Sequence, residues 1–155
     1  VGIADELAEV LTEGSSAAVL AGFDPAEHTF RVTSRRLKSV FNSSGRELDS
    51  LRGKAGTNFA HMHPDDLVAL GVADGATVEL ASPRGSIRGI VRSAPDVRRG
   101  AISMAHAWGG LPDEPGVLSE QGSTTAALID ADSGYDRFTG MPVMSAIPVS
   151  VRALG

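Results

Sequence analysis

The stretch from 74 to 93, "DGATVELASPRGSIRGIVRS", constrains the fold more than any other part of the chain. "DG" makes a tight turn into the strand "ATVELAS". "PRG" at 83 to 85 then reverses the chain into "SIRGIVRS", so residues 76 to 92 are predicted to form a β-hairpin. Upstream, Pro64 suits a first helical position, and Asp65 and Asp66 lie where a helix dipole favours negative charge. That helix is expected to run to Leu70, bury Leu67, Val68 and Leu70, and stop at Gly71 in the left-handed region.

The remaining segments repeat this pattern of short strands and turns. "IADELAEVLT" reads as an amphipathic helix closed near Gly14, with residues 1–29 forming an N-terminal helix and linker. "HTFRVTSRR" and "AISMAHAW" read as strands, "FNSSG" as a turn, and residues 109 to 122 as a long loop. "MPVMSAIPVSVRAL" reads as a last strand whose prolines indicate an edge or a bulge. Short strands, few helices and glycine-rich turns predict a mainly β (α+β) chain, a small barrel with short decorating helices. With 155 residues, 42% hydrophobic and 21% charged, the chain suits one core-forming domain. A start at Val1 rather than Met leads us to expect an excised or processed piece.

Composition narrows the chemistry. The chain has no cysteine, which excludes disulfides, zinc ribbons, iron–sulfur ligation and thiol catalysis within it. It has no apolar run of membrane-spanning length. A net charge of -5 argues against general nucleic-acid binding. The charge is uneven, however. Residues 1 to 30 hold six acids and no Lys or Arg, residues 31 to 54 hold seven Lys/Arg against two acids, and 84 to 99 hold five Arg against one acid. Such basic stretches suit a local anionic ligand, or simply a solvated face.

Several familiar patterns have ordinary explanations. His61-Met62-His63 is an H-x-H pair with His106, Asp65 or Asp66 as a third ligand, but Pro64 makes His63 a helix cap, and no metal is expected. Asp132-Ser133-Gly134 matches an aspartic-peptidase core in single copy and reads as a β-turn. The Gly-Ser pairs at 14, 85 and 122, which a pyruvoyl decarboxylase would cleave, read as turns, and no G-x-S-x-G elbow supports a hydrolase.

A more informative group is dispersed: Ser34-Arg35-Arg36, Asn42-Ser43, His106-Ala107-Trp108-Gly109-Gly110, and Gly122-Ser123-Thr124-Thr125. Each lies where a strand gives way to a loop and offers donors suited to phosphate or to heterocycle edges. Trp108, the only tryptophan, either stacks on a flat ring or plugs the barrel end.

From about Phe30 to Arg152 these motifs occur in an order that resembles the C-terminal molybdopterin-dinucleotide-binding domain of the dimethyl-sulfoxide-reductase superfamily. The carrying segments are "TSRR", "FNSS", "HPDDLVALGVADG", "VELASPRGS", "RRGAISMAHAWGG", "GSTTAALID" and "YDRFTGMPVMSAIPVSV". In that family a glycine-led triplet stands where this chain has "SRR", "H-G-W-G" where it has "HAWG", and asparagines where it has Thr124 and Ala126. The resemblance implies a double-psi β-barrel over residues 30–155 that contributes to a bis-molybdopterin guanine dinucleotide site. By the same resemblance Ser34, Arg35 and Arg36 would hold phosphate or pterin groups beside Asn42 and Ser43. His106, Ala107, Trp108, Gly109 and Gly110 would line the cofactor, and Thr124 and Thr125 would occupy the family's asparagine-bearing loop.

The implied parent is a molybdenum- or tungsten-dependent oxidoreductase in the cytoplasm. Its other domains would be this domain's partners and would supply the metal ligand and electron relay, so this chain alone is expected to be inactive. The alternatives are a packing or protein-interaction barrel without cofactor and, further off, a freestanding hydrolase or decarboxylase.

Overall fold

Alternation along the hairpin decides which way each side chain points. Val78, Leu80, Ile87 and Val91 turn inward and are buried, whereas Arg88 and Arg92 face out. The computed structural model describes residues 23–46, 48–52, 56–109, 117–130, 135 and 139–154. The expected helix near residues 3–11, the Gly-Ser pair at 14, Gly110 with much of its loop, and the turn at 132–134 lie outside these residues.

Six strands close into a barrel: β1 (Phe30–Arg35), β2 (Ala60–Met62), β3 (Thr77–Ala81), β4 (Ser86–Ser93), β5 (Ala101–Ala105) and β6 (Ile147–Ala153). Their order round the wall is β1-β5-β2-β4-β3-β6. Two neighbouring pairs, β1 with β5 and β2 with β4, are parallel, so the chain must cross over between them. The mainly β barrel with short helices expected from the sequence is therefore present. Its interior is one apolar cluster that includes Val32, Met62, Leu80, Ile102, Met104 and Val149.

Local chemistry accounts for the helix Pro64–Leu70. His63 caps it, its Nδ1 accepting the Asp65 N–H at 3.1 Å, and Gly71 ends it at φ 65°. Two details differ from expectation. Val68 is 80% exposed, because in so short a helix Asp66 and Leu67 occupy the inward face. Asp66 does more than complement the dipole: it is buried and accepts from the Gly100 N–H at 2.7 Å and from Arg99 Nε at 3.1 Å. The helix is thereby tied to the turn that launches β5.

β5 ends at Ala105, where the strand is expected to give way to a loop, because Ala107 takes φ 61° and turns the chain out of the sheet. β6 begins only at Ile147, after Ala146 at φ 58°. Pro148 lies within β6 although a closed barrel has no edge strand. It pairs with β1 opposite Arg31, where the other side of β6 has not yet met β3, whose pairing starts at Ser150. Among the described residues, no helix is long and apolar enough to cross a membrane.

Candidate functional site

Strand pairing assembles the site. Because β1 and β5 run parallel with Arg35 opposite Ala105, the residues that follow, Arg36 and His106, emerge side by side at the same barrel end. The chain after β1 then folds back over this end. Val40, with Leu37 beside it, packs on Ala105 and Trp108, and the Arg46 guanidinium lies 5.2 Å from the Trp108 ring centre. Phe41 and Ser44 exchange backbone hydrogen bonds across a turn that holds Asn42 at φ 54°, a left-handed conformation asparagine tolerates.

The result is an open concavity of about 190 Å³ lined by Arg35, Arg36, Asn42 and His106 on the polar side and by Leu37, Val40, Ala105 and Trp108 on the apolar side. Ligand pockets bury most of their ligand, whereas an open groove of this kind suits part of one. Asn42 Oδ1 accepts from Arg36 and from His106 Nε2 at 3.0 Å. A guanidinium only donates, so the Asn42 atom facing it is the oxygen, and His106 Nε2 carries the hydrogen. In the neutral ring Nδ1 is then an acceptor. His106 Nδ1 and Arg46 Nε are both buried with no hydrogen-bond partner. Buried polar atoms are rarely left so, and an orphan acceptor beside the two arginines of the concavity fits a group that carries N–H or O–H donors and phosphate acceptors. The donor set therefore fits a nucleotide-bearing cofactor.

The other expected residues are placed differently. Ser34 is exposed and its Oγ donates to the Met144 carbonyl at 3.1 Å. Ser43 is exposed in the turn, Thr124 is exposed, and Thr125 is buried at the start of a 3-10 helix, Thr125–Leu128. None of these four lines the concavity. Trp108 is 4% exposed and plugs the barrel end, with Arg46 over its ring. Gly109, at φ 91°, donates its N–H to Gln121 at 2.8 Å, and a Cβ there would stand 2.7 Å from the Thr124 nitrogen. The loops after β5 and before the 3-10 helix are thus in backbone contact. Sequence reasoning missed Arg46 and Asn58. Arg46 belongs to the basic stretch already singled out, but nothing local marks Asn58.

Ala107 carries backbone strain that a glycine there would avoid. The left-handed region costs a residue with a Cβ about 1–2 kcal/mol, and Ala107 sits there at φ 61°. Ala107→Gly is expected to stabilise the domain by about 0.5–1 kcal/mol, the relief being partly offset by glycine's extra unfolded-state entropy. An unchanged or lower melting temperature would count against this.

The H-x-H pair does not converge on a common ligand. His61 Nδ1 lies 3.1 Å from the Phe59 carbonyl and 3.3 Å from that of Ser103, while His63 serves as the helix cap. Among the described residues, no group of three or more His, Asp or Glu side chains could hold a metal ion. Burial, then the Arg35 charge, and less strongly Arg92, hold His61 below the ordinary histidine range, against the opposing pull of the two carbonyls. The unfolded chain therefore binds this proton more readily than the folded one. Stability from His61 is present above about pH 6.5 and is lost as pH falls from there through its depressed folded value. His61→Gln is expected to flatten that part of the stability profile, as read by denaturant midpoints from pH 7.5 to 5. A variant whose slope matches the parent would rule out this origin.

A family model described as "Molydopterin dinucleotide binding domain" matches residues 30–148. A comparison with curated proteins finds no match. Among solved structures, acetylene hydratase from Pelobacter acetylenicus is similar, with a TM-score of 0.67 and 20% identity over 83% of this chain and 18% of that one. At that identity the likeness concerns the fold, and this chain spans 18% of the neighbour's length. The family match covers well over half of the chain and includes Arg35, Arg36, Asn42 and the loop from His106. This chain belongs to the molybdopterin dinucleotide binding domain family.

Proposed function

We propose that this domain grips the guanine dinucleotide form of molybdopterin within a larger molybdenum or tungsten oxidoreductase, whose other domains supply the metal ligand and electron relay. The observation that carries this reading is the concavity where Arg35 and Arg36 meet His106, whose buried Nδ1 has no hydrogen-bond partner. When bound, the cofactor supplies the pterin dithiolene that carries the redox metal. Arg35 and Arg36 hold phosphate oxygens, since a guanidinium fork matches them in pairs. Asn42 orients both Arg36 and His106. His106 Nδ1 takes an N–H or O–H of the ligand. Gly109 and Thr124 form a neighbouring wall against which the rest of the cofactor lies.

The open form of the concavity agrees with a domain that supplies only part of the site. Phe41, next to Asn42, and Met144, whose carbonyl accepts from Ser34, are exposed and offer an apolar face to the parent's other domains. A cytoplasmic location goes with this reading, and cell fractionation would check it. The direct test is a titration with GDP followed by amide chemical shifts. Shifts are expected at residues 35–46 and 105–109, and shifts confined to other surfaces would overturn the assignment. The chain with reconstituted cofactor is expected to show no turnover by itself.

A further inference from the structure

Asn58 lies just before β2, is 2% exposed, and spends its whole amide on two loops. Its Nδ2 donates to the Ala105 carbonyl at 2.7 Å and to the Ser123 carbonyl at 2.8 Å, while its Oδ1 accepts the Ser123 N–H at 2.9 Å. Ala105 is the residue from which the His106 loop departs, and Ser123 precedes Thr124. The fit around the clamp is close. A Cβ on Gly122, which sits at φ 66°, would lie 2.2 Å from Asn58 Oδ1, and one on Gly109 would lie 2.7 Å from the Thr124 nitrogen. Asparagine presents two donor hydrogens and an acceptor on one short side chain. Alanine offers neither, and glutamine carries the amide one methylene too far.

We infer that Asn58 is a positioning residue that fixes the His106–Gly109 loop against the Ser123–Thr125 loop and so sets the shape of the dinucleotide site. This rests on the cofactor-binding reading above. Asn58 does not touch the concavity itself. It acts through Ala105, whose carbonyl it holds at the point where β5 releases His106 and Trp108.

The neighbouring Thr57 provides a control for plain destabilisation. It is buried, and its Oγ1 donates to the Leu118 carbonyl at 2.9 Å without reaching residues 105 or 123. The full chain is compared with Asn58→Ala and Thr57→Val by GDP titration and by emission of the single tryptophan, Trp108. Asn58→Ala is expected to weaken GDP at least tenfold and to move Trp108 emission to the red. Thr57→Val is expected to lower stability while leaving both within twofold of the parent or unshifted. Equal GDP affinity and unshifted emission in a folded Asn58→Ala would overturn the inference. If that variant does not fold, Gly122→Ala, which displaces the amide from the opposite side, decides it by the same two readouts. If the parent itself does not bind GDP, the cofactor reading fails, and Trp108 emission alone then decides whether Asn58 sets the loop.

Discussion

Replacing Ile102 by alanine is expected to remove about 2–5 kcal/mol of stability, the range for deleting a fully buried isoleucine side chain where the cavity cannot collapse. Ile102 is 0% exposed, and the pairings place it between Val32 of β1 and Met62 of β2, both also buried. Three strands of different sequence origin therefore meet on its side chain. Against a typical domain stability of roughly 5–15 kcal/mol, such a loss removes a large share of the folding free energy. The denaturant midpoint should fall with little change in slope. Val68→Ala, on the 80% exposed position of the helix Pro64–Leu70, should stay within about 0.5 kcal/mol of the parent. A loss below about 1 kcal/mol at Ile102 would mean that the interior is not packed around β5. Since β5 runs directly into His106, the same cavity should also loosen the site.

What the sequence makes legible follows from the range of the interactions involved. The helix and hairpin are written in neighbouring residues: Pro64 opens the helix, Gly71 closes it, and the turns at 74–75 and 83–85 set the strands. Gly75 at φ 84° and Gly71 at φ 65° occupy the conformations their positions require. Barrel closure has no such local mark. The pairing of Arg35 with Ala105 joins residues far apart in the chain, and only the ordered motifs of a known family point to it. The change from strand to loop at His106 is legible as a polar group beside glycines, but the backbone angle that makes it is not: Ala107 turns left-handed and delivers His106 and Trp108 to the site.

The site divides along the same line. Arg35, Arg36, Asn42 and His106 are visible as polar groups at strand ends, where a rigid sheet hands over to a loop. Their convergence depends on the parallel register of β1 and β5, which residue types alone do not encode. Asn58 is still less visible, because its partners lie 47 and 65 positions away. A buried asparagine has meaning only once those carbonyls are in place. Conversely, Thr125 looks like a ligand donor in sequence but is buried at the start of the 3-10 helix. A hydroxyl in a loop has many backbone partners, so residue type predicts its role poorly.

Removing both guanidiniums, Arg35→Ala with Arg36→Ala, is expected to weaken GDP by about 100-fold or more. Each charge-assisted hydrogen bond to phosphate contributes about 1.5–3 kcal/mol, and about 1.4 kcal/mol corresponds to tenfold. Lysine at both positions should recover only part of the loss, because an ammonium keeps the charge but not the planar fork. Salt should weaken the parent more than the double alanine variant, whose phosphate contacts are gone. The decisive comparison is with Arg92, which faces outward on β4 with its guanidinium 4.4 Å from the Phe59 ring centre and does not line the concavity. Arg92→Ala changes the net charge by the same amount as either single variant, yet should leave GDP binding within about twofold if long-range charge contributes little at physiological salt. Equal losses from Arg92→Ala and Arg35→Ala would show that the protein's overall field, not the fork at the end of β1, attracts the nucleotide.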